Sequence, residues 1–278
     1  MKIIACIKQV PDSEAKVKAD SGKVSWGDAP LVINPFDEYA VEGALQQREA
    51  QSGSTVTALC IGPESAKEAL KHALAMGADD AILVSDPVLT EGLDTVGAAR
   101  VLAAAIQKIG GVDMVVFGRQ TLDSGSGLTA AQTARVLGWP LLGLAGQIKV
   151  EILSGAQGDA GSASSPLGVT VERVIEEGRQ SVKSKLPAII SVVQSIGEPR
   201  YPSFMGIRKA SKANIPVWSL GDLGASFGDG VSAPAPVITR SELMNPPARE
   251  TTIEIISGES PTEIADKLAD KLIAEKVL

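Results

Sequence analysis

The chain has 278 residues, enough to bury a substantial core as one large domain, or as one domain with an appendage. Its 26 basic and 33 acidic residues give a net charge of -7, and only 3% of the residues are aromatic. An acidic surface repels a phosphate backbone, and few aromatic side chains are available to stack on bases. We therefore expect no nucleic-acid partner.

The N-terminal segment MKIIACIKQV has the pattern of a buried strand and lacks the basic region, long apolar stretch and cleavage site of a secretory signal. No stretch reaches the about 18 consecutive apolar residues of a membrane span. Cys6 and Cys60 lie in separate apolar runs without Cys-x-x-Cys spacing, which predicts reduced thiols in the core. We expect a cytoplasmic protein, or one in an equally reducing compartment, without membrane insertion.

Strand-length apolar runs alternate with helical patterns in the first half of the chain. Buried strands are predicted at residues 2–10, 54–61, 80–84 and 112–117. Helices are predicted at residues 34–50, with Asn34 as N-cap and Pro35 at the first helical position, and at residues 63–77, 94–110 and 128–137. This alternation is typical of a parallel sheet, so we predict an α/β, Rossmann-like fold of the adenine-nucleotide-binding type.

The pattern changes after Gly146. Alternating residues at 147–153 and 168–175 predict an added β-hairpin, and the apolar run at 188–193 predicts one more strand. The segment between the hairpin strands is rich in Gly, Ser and Ala, so we interpret it as a linker without a function of its own.

A C-terminal arm begins where the composition shifts to Gly, Ser and Pro, over residues 221–248. Beyond it, Ser260 and Glu263 form a capping box that opens an amphipathic helix, with Ile264, Leu268 and Leu272 on one side. We divide the chain into a nucleotide-binding α/β domain, residues 1–224, and a C-terminal arm and helix, residues 225–278, which we expect to pack on a partner subunit.

A Gly-rich loop, GRQTLDSGSG at residues 118–127, joins a predicted strand to a predicted helix. Glycines let backbone N–H groups approach an anion, and a helix N-terminus carries positive partial charge. Hydroxyls that can donate further hydrogen bonds belong to Thr121, Ser124, Ser126 and Thr129. Arg119 could add a cation, and Asp123 could bind a ribose, although a turn role explains Asp123 equally well. Neither the dinucleotide fingerprint nor the Walker sequence is present, so the loop alone leaves nucleotide binding open.

Catalytic and metal-binding residues are not predicted. The one histidine, His72, lies on the polar face of a predicted helix, and the two cysteines are far apart in the sequence. These residues form neither a metal cluster nor a nucleophile triad. Demanding chemistry would come from a bound cofactor, and we leave open whether the chain is an enzyme.

Several segments together resemble the β subunit of electron transfer flavoproteins. The most specific is VERVIEEGRQSVKSKLPAIIS at residues 171–191. The others are NPFDEYAVE at 34–42, ALAMGAD at 73–79, VDMVVFGRQ at 112–120, ACIKQV at 5–10, EPRY at 198–201 and KASK at 209–212. The agreement runs in order over residues 1–224.

The resemblance implies a heterodimer with an electron transfer flavoprotein α subunit, and FAD in a site that the β subunit helps to form. Electrons would pass between dehydrogenases and an acceptor such as a quinone reductase. It also implies a nucleotide site in this chain, which holds AMP in simple members and a second FAD in electron-bifurcating members. Carried onto this sequence, the site comprises Cys6, Asn34, Pro35, Phe36, Asp37, Ile61, Gly118, Arg119, Gln120, Thr121, Leu122, Asp123, Ser124, Gly125, Ser126, Gly127, Leu128 and Thr129.

The sequence departs from both classes of the family. Simple members read Asn-Gln-Thr where this chain has Gly127, Leu128 and Thr129, so two polar contacts are missing. The segment GLDT at residues 92–95 resembles bifurcating members and adds Asp94 and Thr95 to the candidate site, but the DSGSG loop does not resemble them. Simple electron transfer is the leading interpretation. The alternatives are bifurcation, with a second FAD and NADH as donor, and, from a different class, a stress-type sensor of AMP or ATP.

Residues 202–206 align with the loop through which family members anchor dehydrogenases. Phe204 stands at the anchor position, with Tyr201 and Met205 beside it, and we expect these three residues to dock a redox partner. The alternative is that Phe204 folds into the local core.

Overall fold

The computed structural model describes residues 1–20, 22–89, 93–152, 167–227, 237–238, 242–247 and 253–277. Its strands are β1 (Lys2–Ile7), β2 (Gln9–Pro11), β3 (Lys18–Asp20), β4 (Lys23–Ser25), β5 (Leu31–Ile33), β6 (Thr55–Ile61), β7 (Asp80–Val84), β8 (Met114–Gly118), β9 (Leu141–Ile152), β10 (Leu167–Ile175), β11 (Gly178–Lys185), β12 (Ala188–Val192) and β13 (Val217–Trp218). Its α-helices are α1 (Pro35–Ala50), α2 (Lys67–Met76), α3 (Thr95–Ile109), α4 (Thr129–Leu137), α5 (Phe204–Ser211) and α6 (Pro261–Ala274).

Within the described residues, nine strands form one sheet in the order β11-β10-β9-β12-β8-β1-β6-β7-β13. The seven strands from β9 to β13 in that order run parallel, whereas β10 is antiparallel to both β9 and β11. The chain runs outward from β1 through β6 and β7, and then returns to the other side of β1 as β8. The carboxyl ends of β1 and β8 therefore flank a topological switch point, where open parallel sheets bind ligands.

Helices cover the two faces of the sheet, and each face has its own core. Ile3, Ala5 and Ile7 of β1 belong to the cluster under α1 and α2, while Ile4 and Cys6 belong to the cluster under α3 and α4. This alternation follows from the two-residue period of a strand. Both faces are covered, which explains why the parallel strands read as continuous apolar runs.

The prediction that Cys6 and Cys60 are core thiols is confirmed. Both are buried and free, and they lie in different clusters on opposite faces of the sheet. Burial raises the pKa of the Cys60 thiol to about 12 and also raises that of Cys6 well above its usual range, with Asp37 adding to both shifts. Neither thiol is therefore poised as a nucleophile.

The predicted α/β fold is confirmed, including the four helices, the parallel strands and the added hairpin of β9 and β10. Strand β11 was not predicted, because its residues are mostly polar and largely exposed. Leu223, in a 3₁₀ turn at Gly221–Phe227, packs in the core beside α3, so the first residues of the Gly-, Ser- and Pro-rich stretch still pack with the α/β domain. The division between residues 224 and 225 stays a prediction. Most of the predicted linker, residues 154–166, and much of the arm lie outside the described residues.

Candidate functional site

The candidate site lies at the switch point, where Lys8 follows β1 and the loop of residues 119–128 follows β8. Asn34 is completely buried beside this loop. Its Nδ2 donates to the backbone oxygen of Gln120 at 2.9 Å, and its Oδ1 accepts from the N–H of Leu122 at 3.1 Å. Asn34 stands at the predicted N-cap position, but its side chain makes no capping bond to α1. The capping role is therefore wrong for the side chain, which clamps the loop instead.

Asp37 braces the two strand ends against each other. Its carboxylate accepts from the N–H of Lys8 at 2.8 Å and from the N–H of Gly118. Complete burial raises the pKa of Asp37 to about 7, although the bonds from Asn34, Lys8 and Gly118 lower it. A Cβ on Gly118 would lie 2.5 Å from both Asp37 Oδ1 and the backbone oxygen of Phe36. Only glycine therefore allows β8 to end this close to the start of α1.

The loop carries its own turn and one ion pair to β1. The N–H of Gly125 donates to the oxygen of Thr121 at 2.8 Å, and the hydroxyls of Thr121 and Ser124 lie 2.8 Å apart. Asp123 forms an ion pair with the ammonium group of Lys8 across the switch point. Partial burial alone would raise the pKa of Asp123, but the hydrogen bond and charge of Lys8 outweigh it and hold that pKa below its usual range.

The N-terminus of α4 opens from the same loop. Leu128 occupies the N-cap position, its side chain makes no capping bond, and the first turn contains no acidic residue. Unpaired N–H groups and the helix dipole make such an end favourable for an anion. One turn into α4, the buried Oε1 of Gln132 has no hydrogen-bond partner among the described residues, and the same holds for the buried Oγ1 of Thr95 at the start of α3.

The structure gathers most of the predicted site residues at one edge of the sheet, in two groups. Asn34, Asp37 and Cys6 are buried, whereas Pro35, Phe36 and Ile61 are half-buried. The loop residues Leu122, Asp123, Ser124, Gly125, Ser126, Gly127 and Leu128 are exposed. A ligand would therefore meet the loop directly, while Asn34 and Asp37 hold that loop in place. Binding by these residues stays a prediction.

Asp94 and Thr95 lie at the start of α3, beyond the end of β7. The carboxylate of Asp94 accepts from the N–H of Gly97 at 2.7 Å, as an N-cap, and from the N–H groups of Val237 and Ile238 at 2.7 and 3.0 Å. It thus joins the helix to the C-terminal arm. Gly92, the first residue of the GLDT segment, lies outside the described residues.

Lys8 and Arg200 are functional candidates that the sequence analysis missed. The available signal was that Lys8 directly follows a predicted strand of a parallel sheet, and ligands bind at the carboxyl ends of such strands. Arg200 gave none, because its partners are distant in sequence. Its guanidinium binds the buried Glu42 through Nε at 2.8 Å and Nη2 at 3.0 Å, and also pairs with Glu49. Burial alone would raise the pKa of Glu42, but Arg200 outweighs it, so that pKa lies below its usual range.

The predicted docking residues follow Arg200 directly. Tyr201, Phe204 and Met205 are 94, 80 and 70% exposed, so Phe204 does not fold into the local core. The segment is nevertheless well anchored, because Ser203 caps α5 by accepting from the N–H of Gly206 at 2.9 Å, and Arg200 fixes the preceding residues. This arrangement presents large apolar side chains on a rigid base, as an interaction surface requires.

Two kinds of feature are absent from the described ranges. No helix there is long and apolar enough to cross a membrane. No group of three or more His, Cys, Asp or Glu side chains within them is arranged to hold a metal ion. His72 instead lies 2.9 Å from the Oε1 atom of Glu38, which pairs α2 with α1.

Comparison with known proteins identifies the family to which the chain is similar. Residues 27–223 match the family described as the electron transfer flavoprotein domain. The chain is 34% identical to the electron transfer flavoprotein subunit beta of Megasphaera elsdenii, with all of both chains covered, and 31% identical to that of Bacillus subtilis, with 99 and 98% covered. It is also 33% identical to the caffeyl-CoA reductase-Etf complex subunit CarD of Acetobacterium woodii over the whole of both chains. The chain therefore belongs to the electron transfer flavoprotein family, and it is similar over its full length to the β subunits of that family.

Proposed function

We propose that this chain pairs with an electron transfer flavoprotein α subunit, passes electrons from dehydrogenases to an acceptor through FAD, and binds AMP in the loop after β8. The observation that carries the AMP site is the open N-terminus of α4 at the switch point. Asn34 and Asp37 hold the adjoining loop from beneath, so its backbone is positioned before a ligand arrives. Preorganisation of this kind reduces the entropy cost of binding.

The residues of the loop fit a nucleotide phosphate. The first turn of α4 offers backbone N–H groups, Ser124 and Ser126 are exposed beside it, and Lys8 and Arg119 supply positive charge. The unpartnered Oε1 of Gln132 would gain a partner from a bound ligand or water.

The flavin would supply the redox chemistry, because FAD accepts electrons and passes them on. This chain would shape part of the flavin site and set the position of the α subunit. The buried carboxyl of Asp37 is occupied by N–H donors, so we assign it a structural role and not acid–base chemistry on a ligand. We therefore assign the chain the role of a carrier subunit.

Bifurcation is a second candidate, supported by Thr95. Its buried Oγ1 has no partner in the described structure, and it lies at the start of α3, which follows β7 rather than β8. A second FAD is longer than AMP and could reach from the loop to this hydroxyl. In contrast, the carboxylate of Asp94 is already occupied by three N–H groups, so we assign it to the arm.

The C-terminal helix supports the proposed heterodimer. No residue of α6 is buried, and Ile264 and Leu268 on its predicted apolar side are 36 and 46% exposed. The Ser260 cap is present, with Oγ accepting from the N–H of Glu263 at 3.2 Å, so the helix is formed. A formed amphipathic helix with an open apolar side is expected to pack on another surface. We assign that surface to the α subunit.

The test is to co-express the chain with its α subunit, denature the purified heterodimer and quantify FAD and AMP by chromatography. One FAD and one AMP per heterodimer would support simple electron transfer. Two FAD and no AMP would establish bifurcation instead, and absence of flavin would refute both functions.

A matched pair of variants tests the loop site itself. Asn34→Ala removes the two bonds that clamp the loop, and we expect it to lose most of the bound nucleotide. Asn245→Ala is the control, because Asn245 likewise bridges a backbone N–H and oxygen, both of Ala19, at 2.7 and 3.0 Å. Equal nucleotide content in both variants would show that the loop is not the binding site.

A further inference from the structure

We propose that Lys8 recognises the phosphate of the bound nucleotide and that Asp123 competes with this phosphate for the lysine. This inference rests on the nucleotide site proposed above and names the residue that selects a phosphorylated ligand. In the structure, the ammonium group of Lys8 is paired with the Asp123 carboxylate across the switch point. A phosphate entering beside the loop would take the place of that carboxylate.

The backbone of Lys8 is fixed where a phosphate-binding cation is needed. Its N–H donates to the buried Asp37 at 2.8 Å, and its carbonyl oxygen accepts from the N–H of Asn34 at 2.8 Å. Lys8 is therefore held by the same two residues that brace and clamp the loop. Its side chain leaves a backbone position fixed just after β1 and reaches the loop after β8, so it spans the crevice that a ligand would enter.

The exposure of the ion pair allows exchange of partners. The Lys8 side chain is 42% exposed and that of Asp123 is 29% exposed, so water and a ligand can reach both charges. Exposed ion pairs contribute little to stability, whereas a charge-assisted bond to phosphate in a preorganised site is stronger. Exchanging the carboxylate for a phosphate is therefore favourable, and it also releases Asp123.

The loop is held by contacts other than the Lys8–Asp123 pair. Asn34 already clamps the loop through two backbone bonds, and Asp37 joins β1 to β8 at Gly118. The Lys8–Asp123 pair is thus not needed to close the loop. Asp123 could alternatively bind a ribose, and that role predicts a different response to mutation.

The experiment measures affinity for AMP and for adenosine by calorimetry, using the heterodimer after exchangeable nucleotide has been removed. Lys8→Gln should weaken AMP binding about tenfold and leave adenosine binding nearly unchanged, because only AMP carries the phosphate. Asp123→Asn should strengthen AMP binding about two- to fivefold, because Lys8 loses its competitor. In the double variant this gain should disappear.

Lys71→Gln and Glu68→Gln are the matched controls. They break an exposed lysine–carboxylate pair of 2.6 Å on α2 and make the same changes of charge. Both should leave the affinities for AMP and adenosine unchanged. If the heterodimer retains FAD in this site, the same comparison is made with FAD and riboflavin.

Three results would overturn the inference. An unchanged AMP affinity in Lys8→Gln would remove Lys8 from recognition. Weaker binding of both AMP and adenosine in Asp123→Asn would identify Asp123 as a ribose ligand or loop organiser. Wild-type heterodimer that binds neither nucleotide nor FAD in this site would refute the proposed function as well, which distinguishes the two failures.

Discussion

Replacement of Asp37 by asparagine should change how the stability of the protein depends on pH. Burial raises the pKa of Asp37 from 3.8 to about 7 in the folded state. Between these values the folded protein retains a proton that the unfolded chain has lost. The contribution of Asp37 to stability is therefore complete below about pH 4 and is progressively lost as the pH rises to 7.

The size of the expected change in unfolding free energy follows from the part of this pH interval in which unfolding is measured. Of the interval from pH 5 to pH 8, about two pH units lie below the raised pKa of Asp37. Each of these pH units corresponds to about 1.4 kcal/mol of stability. The unfolding free energy of the wild type, relative to that of Asp37→Asn, should thus fall by about 3 kcal/mol. All other titrating groups are common to both proteins, so their contributions cancel in the difference.

The assay is urea unfolding of the heterodimer between pH 5 and pH 8, followed by tryptophan fluorescence. Asp222→Asn is the control, because hydrogen bonds from Ser219 lower the pKa of Asp222, so its contribution stays constant over this range. A constant difference between wild type and Asp37→Asn from pH 5 to pH 8 would refute the reasoning, since Asp37 would then ionise at an ordinary pKa.

Three further variants test other parts of the structure. Arg200→Gln removes the ion-pair partner of the Glu42 carboxylate, which is only 7% exposed. It should lower the free energy of unfolding by about 3 kcal/mol in urea titrations. A loss below about 1 kcal/mol would mean that water replaces the guanidinium. Gly118→Ala places a Cβ 2.5 Å from the backbone oxygen of Phe36. It should lower the free energy of unfolding by about 1–3 kcal/mol and reduce the bound nucleotide. A melting temperature equal to that of the wild type would show that the strand end can shift. Phe204→Ala removes an 80% exposed ring. Electron exchange with the partner dehydrogenase, measured by stopped flow, should become slower while the nucleotide content stays unchanged. Unaltered kinetics would remove the docking role.

Local features of the sequence were sufficient to predict the main elements of the fold. Pro35 and the stripe of Ala40, Val41, Ala44 and Leu45 determined α1, because proline is tolerated at a first helical turn and an apolar stripe must be buried. Continuous apolar runs indicated parallel strands covered on both faces. The largely exposed strand β11 was missed because GRQSVKSK contains a single large apolar side chain, Val182, and only pairing with β10 makes it a strand.

The candidate site was only partly predictable, for a similar reason. Its glycines and hydroxyls are contiguous in sequence, so the loop could be recognised before the structure was known. The roles of Asn34, Asp37 and Lys8 depend on partners 29 to 115 residues away.

The sequence by itself therefore determined the helices, the parallel strands and the position of the loop, because these depend on residue spacing. Tertiary structure alone decided that β1 lies beside β8, that Asn34 clamps the loop instead of capping its helix, and that Lys8 faces Asp123. Side-chain partners of this kind depend on strand order, which the local periodicity of a chain does not specify.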